Sequence, residues 1–248
     1  CYIYTESAKQ AGEILMSTFV LTGISVMLGV ALFIVWSRWR KAARAEHIRS
    51  YMFPRGLLDR FGVIRPELTL KERQLVARGL RQFFLAHLKS GGKFVSMPSQ
   101  VADDLWHEFI LYTRHYETFC KEAFGSFMHH TPAVALGADR QNNSGLRRAW
   151  WYCCLEENIN PGAATRLPLL FSLDEKLNIE NGFHYTVDCK GVKRDGAQGS
   201  GGTVYCGGDM SSSSFDGSTD GFGDSSSSFG DTSADSGGDG GGGCGGGD

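Results

Sequence analysis

An uncharged apolar run near the N-terminus constrains this chain more than any other feature. Residues 14–36, ILMSTFVLTGISVMLGVALFIVW, contain no ionisable side chain over 23 positions. A helix needs about 20 such residues to cross a hydrocarbon core about 30 Å thick. A cleaved signal peptide has a shorter apolar region and a small-residue cleavage site, whereas this run continues into SRWRKAAR. The sequence therefore predicts a single transmembrane helix.

The charges that flank this run predict its orientation. Lys9 is the one basic residue before it. Five basic residues follow it closely, namely Arg38, Arg40, Lys41, Arg44 and Arg49. Because cytoplasmic flanks carry the excess of Lys and Arg, we expect a protein of the inner or plasma membrane whose C-terminal part is cytoplasmic. Ser25 and Gly29, small residues one helical turn apart, would let two such helices approach each other as a homodimer.

Composition separates the chain into segments. The net charge of -2 and the hydrophobic content of 42% give no sign of nucleic-acid binding through bulk charge. We assign residues 1–13 to a short N-terminal segment, 14–36 to the transmembrane helix and 37–64 to a basic juxtamembrane linker. Residues 65–190 have the apolar content of one small domain, whereas residues 191–248 are rich in Gly, Ser and Asp and are expected to form a disordered low-complexity tail.

Cysteine usage fits a reducing compartment. Cys1 stands where a natural chain begins with Met, which indicates a truncated start; a processed lipoprotein end is the alternative. The other cysteines are irregularly spaced, and on the predicted cytoplasmic side they stay reduced, so no disulfide framework is expected. They are Cys120, Cys153, Cys154, Cys189, Cys206 and Cys244.

Helical periodicity dominates residues 65–190. Thr69 and Glu72 have the spacing of a capping box, and they open an amphipathic stretch that ends before Gly91. A second stretch begins after Pro98, and its apolar residues recur every three or four positions. They are Val101, Leu105, Phe109, Tyr112, Tyr116 and Phe119.

The remainder of this region predicts two more helices and little strand. Residues 144–158 and 167–179 have helical patterns, and short strands are predicted near residues 93–96 and 183–187. The predicted fold class is therefore mainly α: a single transmembrane helix, a small helical cytoplasmic domain and the Gly/Ser/Asp-rich tail.

The stretch DDLWHEFILYTRHYETFC, residues 103–120, gathers acids, histidines and a cysteine in one amphipathic pattern. With the residues that follow, it resembles the N-terminal domain of the glycine-rich domain-containing proteins of plants and their bacterial relatives. The matching positions are Asp103, Trp106, His107, Tyr116, Cys120, Gly125 and His130, while Phe109, Phe119 and His129 depart from the pattern. The resemblance implies a mostly helical domain without an established activity.

The same stretch predicts a metal site. His107, Cys120 and His130, with Asp103 or His129 as the fourth ligand, offer the donor types that zinc accepts, and a closed Zn²⁺ site would help a small domain to fold. In one straight helix His107 and Cys120 would lie about 20 Å apart. The prediction therefore requires the chain to turn around residues 113–115. The alternative is a helix in which Asp103 and His107 meet only as an i, i+4 pair.

The lack of familiar catalytic motifs in the sequence favours an interaction module over an enzyme. The chain has no phosphate-binding Gly-rich loop after a strand, no G-x-S-x-G elbow, and its HEFIL segment lacks the second His of a zincin helix. We therefore expect a membrane-anchored module that binds another protein through its aromatic helical face. The alternative is a thiol or metal-dependent enzyme with Cys120 as nucleophile and His107, His115 or His130 as base. A third hypothesis is recognition of acidic lipid head groups by the basic flank.

Overall fold

A computed structural model of the chain describes residues 2–130, 144–187 and 204–206, with backbone only for residues 2–20 and 204–206. Cys1 and nearly all of the predicted tail lie outside the described residues. Helix dominates the described part, which confirms the mainly α prediction. Its elements are α1 (Tyr2–Ser50), α2 (Leu57–Ile64), α3 (Leu70–Lys89), α4 (Gln100–Leu111), α5 (Thr113–Ala123), α6 (Ser144–Glu156), α7 (Leu169–Lys176), β1 (His184–Thr186) and β2 (Val204–Cys206).

Helix α1 carries the apolar run. Its Leu21–Ser50 part has a mean hydropathy of 1.7, and within the described residues it is the helix long and apolar enough to cross a membrane. Large apolar side chains such as Leu28, Leu32 and Phe33 are exposed along it. The N-terminal apolar helix is therefore a candidate membrane span. A signal sequence near the N-terminus can meet the same criteria of length and composition, and the predicted orientation stays a prediction.

Residues 37–64, which the sequence assigns to a linker, have a different role in the structure. They form the end of α1 and all of α2. Ala45 and Ile48 lie one turn apart on α1 and are buried, as are Leu57 and Phe61 on α2. The last turns of α1 pack against α3 and α5. The helical domain therefore begins before residue 65, and the apolar helix runs into it without a break.

Helix α3 lies at the centre of the domain, where it contacts α1, α2, α4, α6 and α7. The predicted capping box is present at its start: the Thr69 backbone N–H donates to the Glu72 carboxylate at 2.7 Å, and the Glu72 N–H donates to Thr69 Oγ1 at 3.4 Å. Gly79 lets α7 approach closely, because a Cβ atom there would lie 2.4 Å from Leu173 Cδ1.

The two short strands pair in parallel, with Tyr185 opposite Tyr205. The strand predicted near residues 183–187 is thus confirmed, but the strand predicted at residues 93–96 is wrong, because that segment is an irregular connection. Its carbonyl groups bond to side chains instead of a neighbouring strand. Ser90 Oγ donates to the Lys93 carbonyl at 3.2 Å, and the Arg148 guanidinium donates to the Phe94 carbonyl.

Candidate metal centre

The stretch from residue 103 to residue 120 folds as two helices. Helix α4 ends at Leu111, and Tyr112 has φ -81° and ψ 57°, outside the helical range. Helix α5 begins at Thr113. The chain therefore breaks at Tyr112, one residue before the turn predicted at residues 113–115, which are themselves helical. Asp103 and His107 remain together on α4, because residues four positions apart share one helical face.

A buried carboxylate fixes the start of α4. Ser99 is the N-cap, and its Oγ accepts from the Ala102 N–H at 3.2 Å. The Asp174 side chain, which is 1% exposed, accepts from Ser99 Oγ and from the Gln100 N–H, both at 2.7 Å. An anionic acceptor at a helix N-terminus is favourable because free N–H groups and the helix dipole point at it. This cap holds the first turn of the helix from which Asp103 projects.

Three candidate ligands converge on one point. His130 Nε2 lies 3.1 Å from Asp103 Oδ1, and His107 Nδ1 lies 3.6 Å from Asp103 Oδ2. The two imidazole rings have centroids 4.3 Å apart. One donor atom from each side chain lies within 4.8 Å of the other two. Donors about 2.1 Å from a tetrahedral zinc ion lie roughly 3.4 Å from one another, so the group needs only small rotations to enclose such an ion.

A hydrogen-bond chain through the core places His130. Gly125, with φ +83°, ends α5 and turns the chain back toward α4. Trp106 Nε1 donates to the Tyr116 hydroxyl at 3.2 Å, and that hydroxyl donates to the Met128 carbonyl at 2.6 Å. The His130 ring then lies against the Trp106 ring, with centroids 4.5 Å apart. Buried aromatic groups on α4 and α5 therefore orient the ligand that arrives from the following loop.

Cys120 lies apart from this group. It faces the interior together with Tyr116, Phe119 and Ala123, which share its face of α5, and its exposed fraction is 0%. Burial raises the pKa of the Cys120 thiol, and polar contacts with the Met128 backbone and with Tyr116 offset only part of that rise. A buried thiol with a raised pKa has little thiolate, which is the form that binds metals and attacks electrophiles.

His107 is itself 51% exposed, and the two histidines of this region outside the converging group are also on the surface. His129 is exposed, and its ring lies 4.9 Å from the Phe127 ring between centroids. His115 is exposed on α5, near Tyr112. The group of three converging ligands contains neither of them. Although His129 directly precedes His130, the two rings therefore have different surroundings.

The adjacent acids of α4 have separate partners. Asp104 accepts from Arg65 Nε at 2.8 Å and from Gln100 Nε2 at 3.1 Å. Asp103 pairs with the two imidazoles, and in the described part of the chain it has no ion pair with Lys or Arg. Asp104 therefore ties α4 to the end of α2, while Asp103 keeps its oxygens directed at the histidines.

A cleft of about 720 Å³ opens beside Asp103 and His130. Several of its walls come from segments distant in sequence, so local sequence pattern does not predict that they join this site. Two cations of α1 and one imidazole of α3 are part of them, together with apolar and aromatic side chains. These lining residues include Lys41, Arg44, His87, Phe94, Val95, Met97, Trp106, Phe124 and Phe127.

A family model described as UCP032817-like matches residues 43–210, which is more than half of the chain. The predicted resemblance to glycine-rich domain-containing proteins is therefore wrong, since the model that matches belongs to a different family. The departures at Phe109, Phe119 and His129 agree with that correction. No match was found among curated proteins or among solved structures. The matched region begins in the last turns of α1, where the buried face of that helix begins.

Proposed function

The chain belongs to the UCP032817-like family, and we propose that it is a single-pass membrane protein whose helical domain binds a divalent metal ion. Asp103, His107 and His130 would be its ligands, and zinc is the ion that this donor set suits. One observation carries the proposal: three donor atoms from α4 and the loop after α5 converge within 4.8 Å. The ion would join two parts of the chain that are 23 residues apart in sequence, counted from His107 to His130.

The surroundings of the group favour a metal over an ordinary ion-pair cluster. Asp103 has only imidazoles as partners in the described residues, and each imidazole directs a ring nitrogen at the same carboxylate. His130 is 14% exposed and packs on Trp106, so its ring is held in one place. Two imidazoles and one carboxylate are also a common three-ligand set for zinc, which leaves a fourth position to water or a substrate. The same set binds Fe²⁺ in other proteins.

Membrane anchoring is supported by α1. Its apolar side chains are exposed along the span region, and the basic residues follow directly. The Arg40 guanidinium lies 4.8 Å from the centroid of the Trp36 ring, at the end of the apolar run. Such a pair suits a membrane interface, where the ring is partly in lipid and the charge is in water. We propose that the domain is cytoplasmic; a C-terminal reporter fusion active only in the cytoplasm would test this orientation.

Metal content is the test of the metal site. Full-length protein in non-ionic detergent is saturated with zinc, passed over a desalting column and measured by elemental analysis. We expect about one equivalent in the wild type and less than half an equivalent in His130→Asn and Asp103→Asn. His129→Gln is the matched control, since it removes the neighbouring exposed imidazole and should keep full occupancy.

Two results would contradict the metal site. One is a wild type that retains less than half an equivalent of zinc or iron. The other is a His130→Asn protein that folds, by circular dichroism, and still holds a full equivalent. An iron content that exceeds zinc in protein purified without added metal would change the identity of the ion but keep the three ligands.

Metal-dependent catalysis is a second candidate, and one observation favours it. The converging group offers three ligands instead of four, and two of them, Asp103 and His130, line a cleft of about 720 Å³. A three-ligand zinc ion with open access is the arrangement of catalytic sites. The thiol version of this alternative lacks such support, because Cys120 is buried and the pKa of its thiol is raised by burial. Alkylation of Cys120 by iodoacetamide at pH 7 should therefore be slower than that of free cysteine.

A further inference from the structure

We infer that the cleft beside the proposed metal centre binds an amphipathic anion, a phosphate or carboxylate group joined to an apolar ring or chain. The anionic group would lie between the metal and the side chains of Lys41 and Arg44. The apolar part would pack on the aromatic wall. This inference rests on the proposed metal site and names the class of ligand that the site takes.

The cleft has the size and the walls of a small-molecule site. Its volume of about 720 Å³ falls within the range of roughly 300–1,000 Å³ that such sites occupy. Phe94, Phe124 and Phe127 line it, and Val95 and Met97 add aliphatic surface. Ligand sites generally combine walls of this kind with a few polar groups that set the orientation of the ligand.

The polar groups of the cleft are mostly basic. Lys41 and Arg44 lie three positions apart on α1, so both side chains are on the side of that helix that faces the cleft. In the described part of the chain, neither forms an ion pair with an acid. Two cations without acidic partners favour an anion in the part of the cleft that they line.

Gly125 lies beside the Arg44 guanidinium in the cleft. A Cβ atom at Gly125 would lie 2.6 Å from Arg44 Nη2, closer than side chains approach one another. Gly125 also has φ +83°, a conformation that glycine adopts without strain. The turn that returns the chain toward His130 therefore also leaves room for the guanidinium. One backbone feature thus serves both the proposed ligand His130 and the basic wall.

The net charge of the proposed metal centre also favours an anionic ligand. Zinc with one carboxylate and two neutral imidazoles has a net charge of about +1 and an open fourth position. A phosphate or carboxylate oxygen replaces water at such a position readily. Guanidinium and ammonium groups bind the remaining oxygens, with Arg able to donate two parallel hydrogen bonds. An inorganic anion would use only these contacts, whereas an amphipathic one would also bury apolar surface.

The source of the ligand is either the membrane or the aqueous phase. Lys41 is five residues beyond Trp36, about 8 Å along the helix from the end of the apolar run. Lipid head groups extend over a similar distance from the hydrocarbon core, so a phospholipid head group and a free aromatic phosphate are both within reach of the cleft. Either ligand would present a phosphate group joined to an apolar portion.

Calorimetric titration of zinc-loaded full-length protein in non-ionic detergent tests the inference. The probes are phenyl phosphate, inorganic phosphate and didecanoyl phosphatidate, and zinc content is measured on the same sample. We expect phenyl phosphate to bind at least about tenfold more tightly than inorganic phosphate, because of the aromatic wall. Arg44→Gln and Lys41→Gln should each weaken phenyl phosphate binding by about tenfold. Arg38→Gln removes an equal charge from the same helix outside the cleft and should change it less than twofold.

The outcomes separate the two proposals. Zinc retention without phosphate binding, or binding that Arg44→Gln and Lys41→Gln leave unchanged, overturns the inference and leaves the metal site intact. Equal binding to zinc-free protein also overturns it, since the anion would then not contact the metal. A wild-type protein that binds neither zinc nor phenyl phosphate overturns both proposals. Displacement of phenyl phosphate by didecanoyl phosphatidate supports the inference with a lipid as the source, and binding of phenyl phosphate alone supports it with a soluble ligand.

Discussion

Two carboxylates in this protein each lie between two basic side chains, and their partners differ in kind. Glu156 on α6 pairs with Arg49 of α1 at 2.6 Å and with Lys89 of α3. Asp103 on α4 pairs with His107 and His130. The two acids are similarly accessible, at 18% and 23% exposure. Burial alone therefore does not distinguish the two groups; the chemistry of the partners does.

The Glu156 carboxylate has two permanently charged partners, so it needs no further cation to balance its charge. Burial would raise the pKa of Glu156, but hydrogen bonds from Arg49 and Lys89 outweigh that effect and hold the pKa below its ordinary value. The Arg49 guanidinium donates two hydrogen bonds, one to each carboxylate oxygen. This group fastens the end of α1 to the domain. The His107 and His130 ring nitrogens near Asp103 would each exchange a proton for a metal ion and then offer it a lone pair, so the Asp103 group is suited to accept a further cation.

Zinc-dependent stability should give the largest difference between the two groups. At a free zinc concentration about 1,000 times Kd, the ion should stabilise the folded protein by about 4 kcal/mol. Asp103→Asn should abolish the stabilisation by zinc, whereas Glu156→Gln should keep it. Urea unfolding in detergent, with zinc and with EDTA, measures both. An equal zinc increment in the wild type and Asp103→Asn would mean that the ion binds elsewhere.

Removal of the Glu156 charge should destabilise the domain without affecting metal. Glu156→Gln leaves Lys89 without a counter-charge and leaves Arg49 with only the exposed Glu46 carboxylate 3.6 Å away, and the cost should be about 1–2 kcal/mol after allowance for solvent screening. The urea midpoint of the zinc-free protein reports this change. Arg38→Gln, which removes a charge outside the group, should shift the midpoint far less. Loss of zinc from Glu156→Gln would contradict the separation of the two groups.

Acidification should weaken the Glu156 group in a defined direction. Because the pKa of Glu156 is lower in the folded protein than in the unfolded chain, the stability that it contributes is present above the unfolded value. That contribution is lost as pH falls through the folded value. In zinc-free protein, unfolding free energy measured from pH 7 down to pH 3 should therefore fall more steeply for the wild type than for Glu156→Gln. Parallel curves would show that the carboxylate is not stabilised by its partners.

Replacement of Cys120 should have the smallest effect on metal. Cys120→Ala deletes one buried sulfur atom, with an expected cost of about 1–2 kcal/mol from lost packing. Zinc content should remain that of the wild type, because the thiol is not among the converging donors. Elemental analysis beside an unfolding curve checks both statements. A loss of zinc from a folded Cys120→Ala protein would restore the cysteine as a ligand.

Local sequence pattern was enough for much of the helical fold. The capping box at Thr69, the periodicity of α3 and α4, and the i, i+4 spacing of Asp103 and His107 all depend on neighbours in the chain. A turn was predicted because His107 and Cys120 cannot meet along one straight helix. The chain does break at Tyr112, although Cys120 is not among the converging ligands. His130 follows a reversal for which Gly125 is a visible signal.

The other features of the fold and of the candidate site depend on long-range packing. The break at Tyr112 resets the helical phase of α5, so the sequence alone does not tell that Cys120 faces the core and not the cluster. Residues 37–64 look like a basic linker because basic residues are frequent and the buried positions are few, with one pair at Ala45 and Ile48 and another at Leu57 and Phe61. The approach of Lys41 and Arg44 to the loop before His130 depends on how α1 packs against α5.

X-ray absorption at the zinc edge tests the ligand set most directly. Zinc-loaded full-length protein should show two imidazole nitrogens and carboxylate or water oxygens at about 2.0–2.2 Å, with no sulfur scatterer. One imidazole should disappear from the spectrum of any zinc retained by His130→Asn. A sulfur scatterer at about 2.3 Å in the wild type, or an unchanged spectrum in His130→Asn, would contradict a metal centre made of Asp103, His107 and His130.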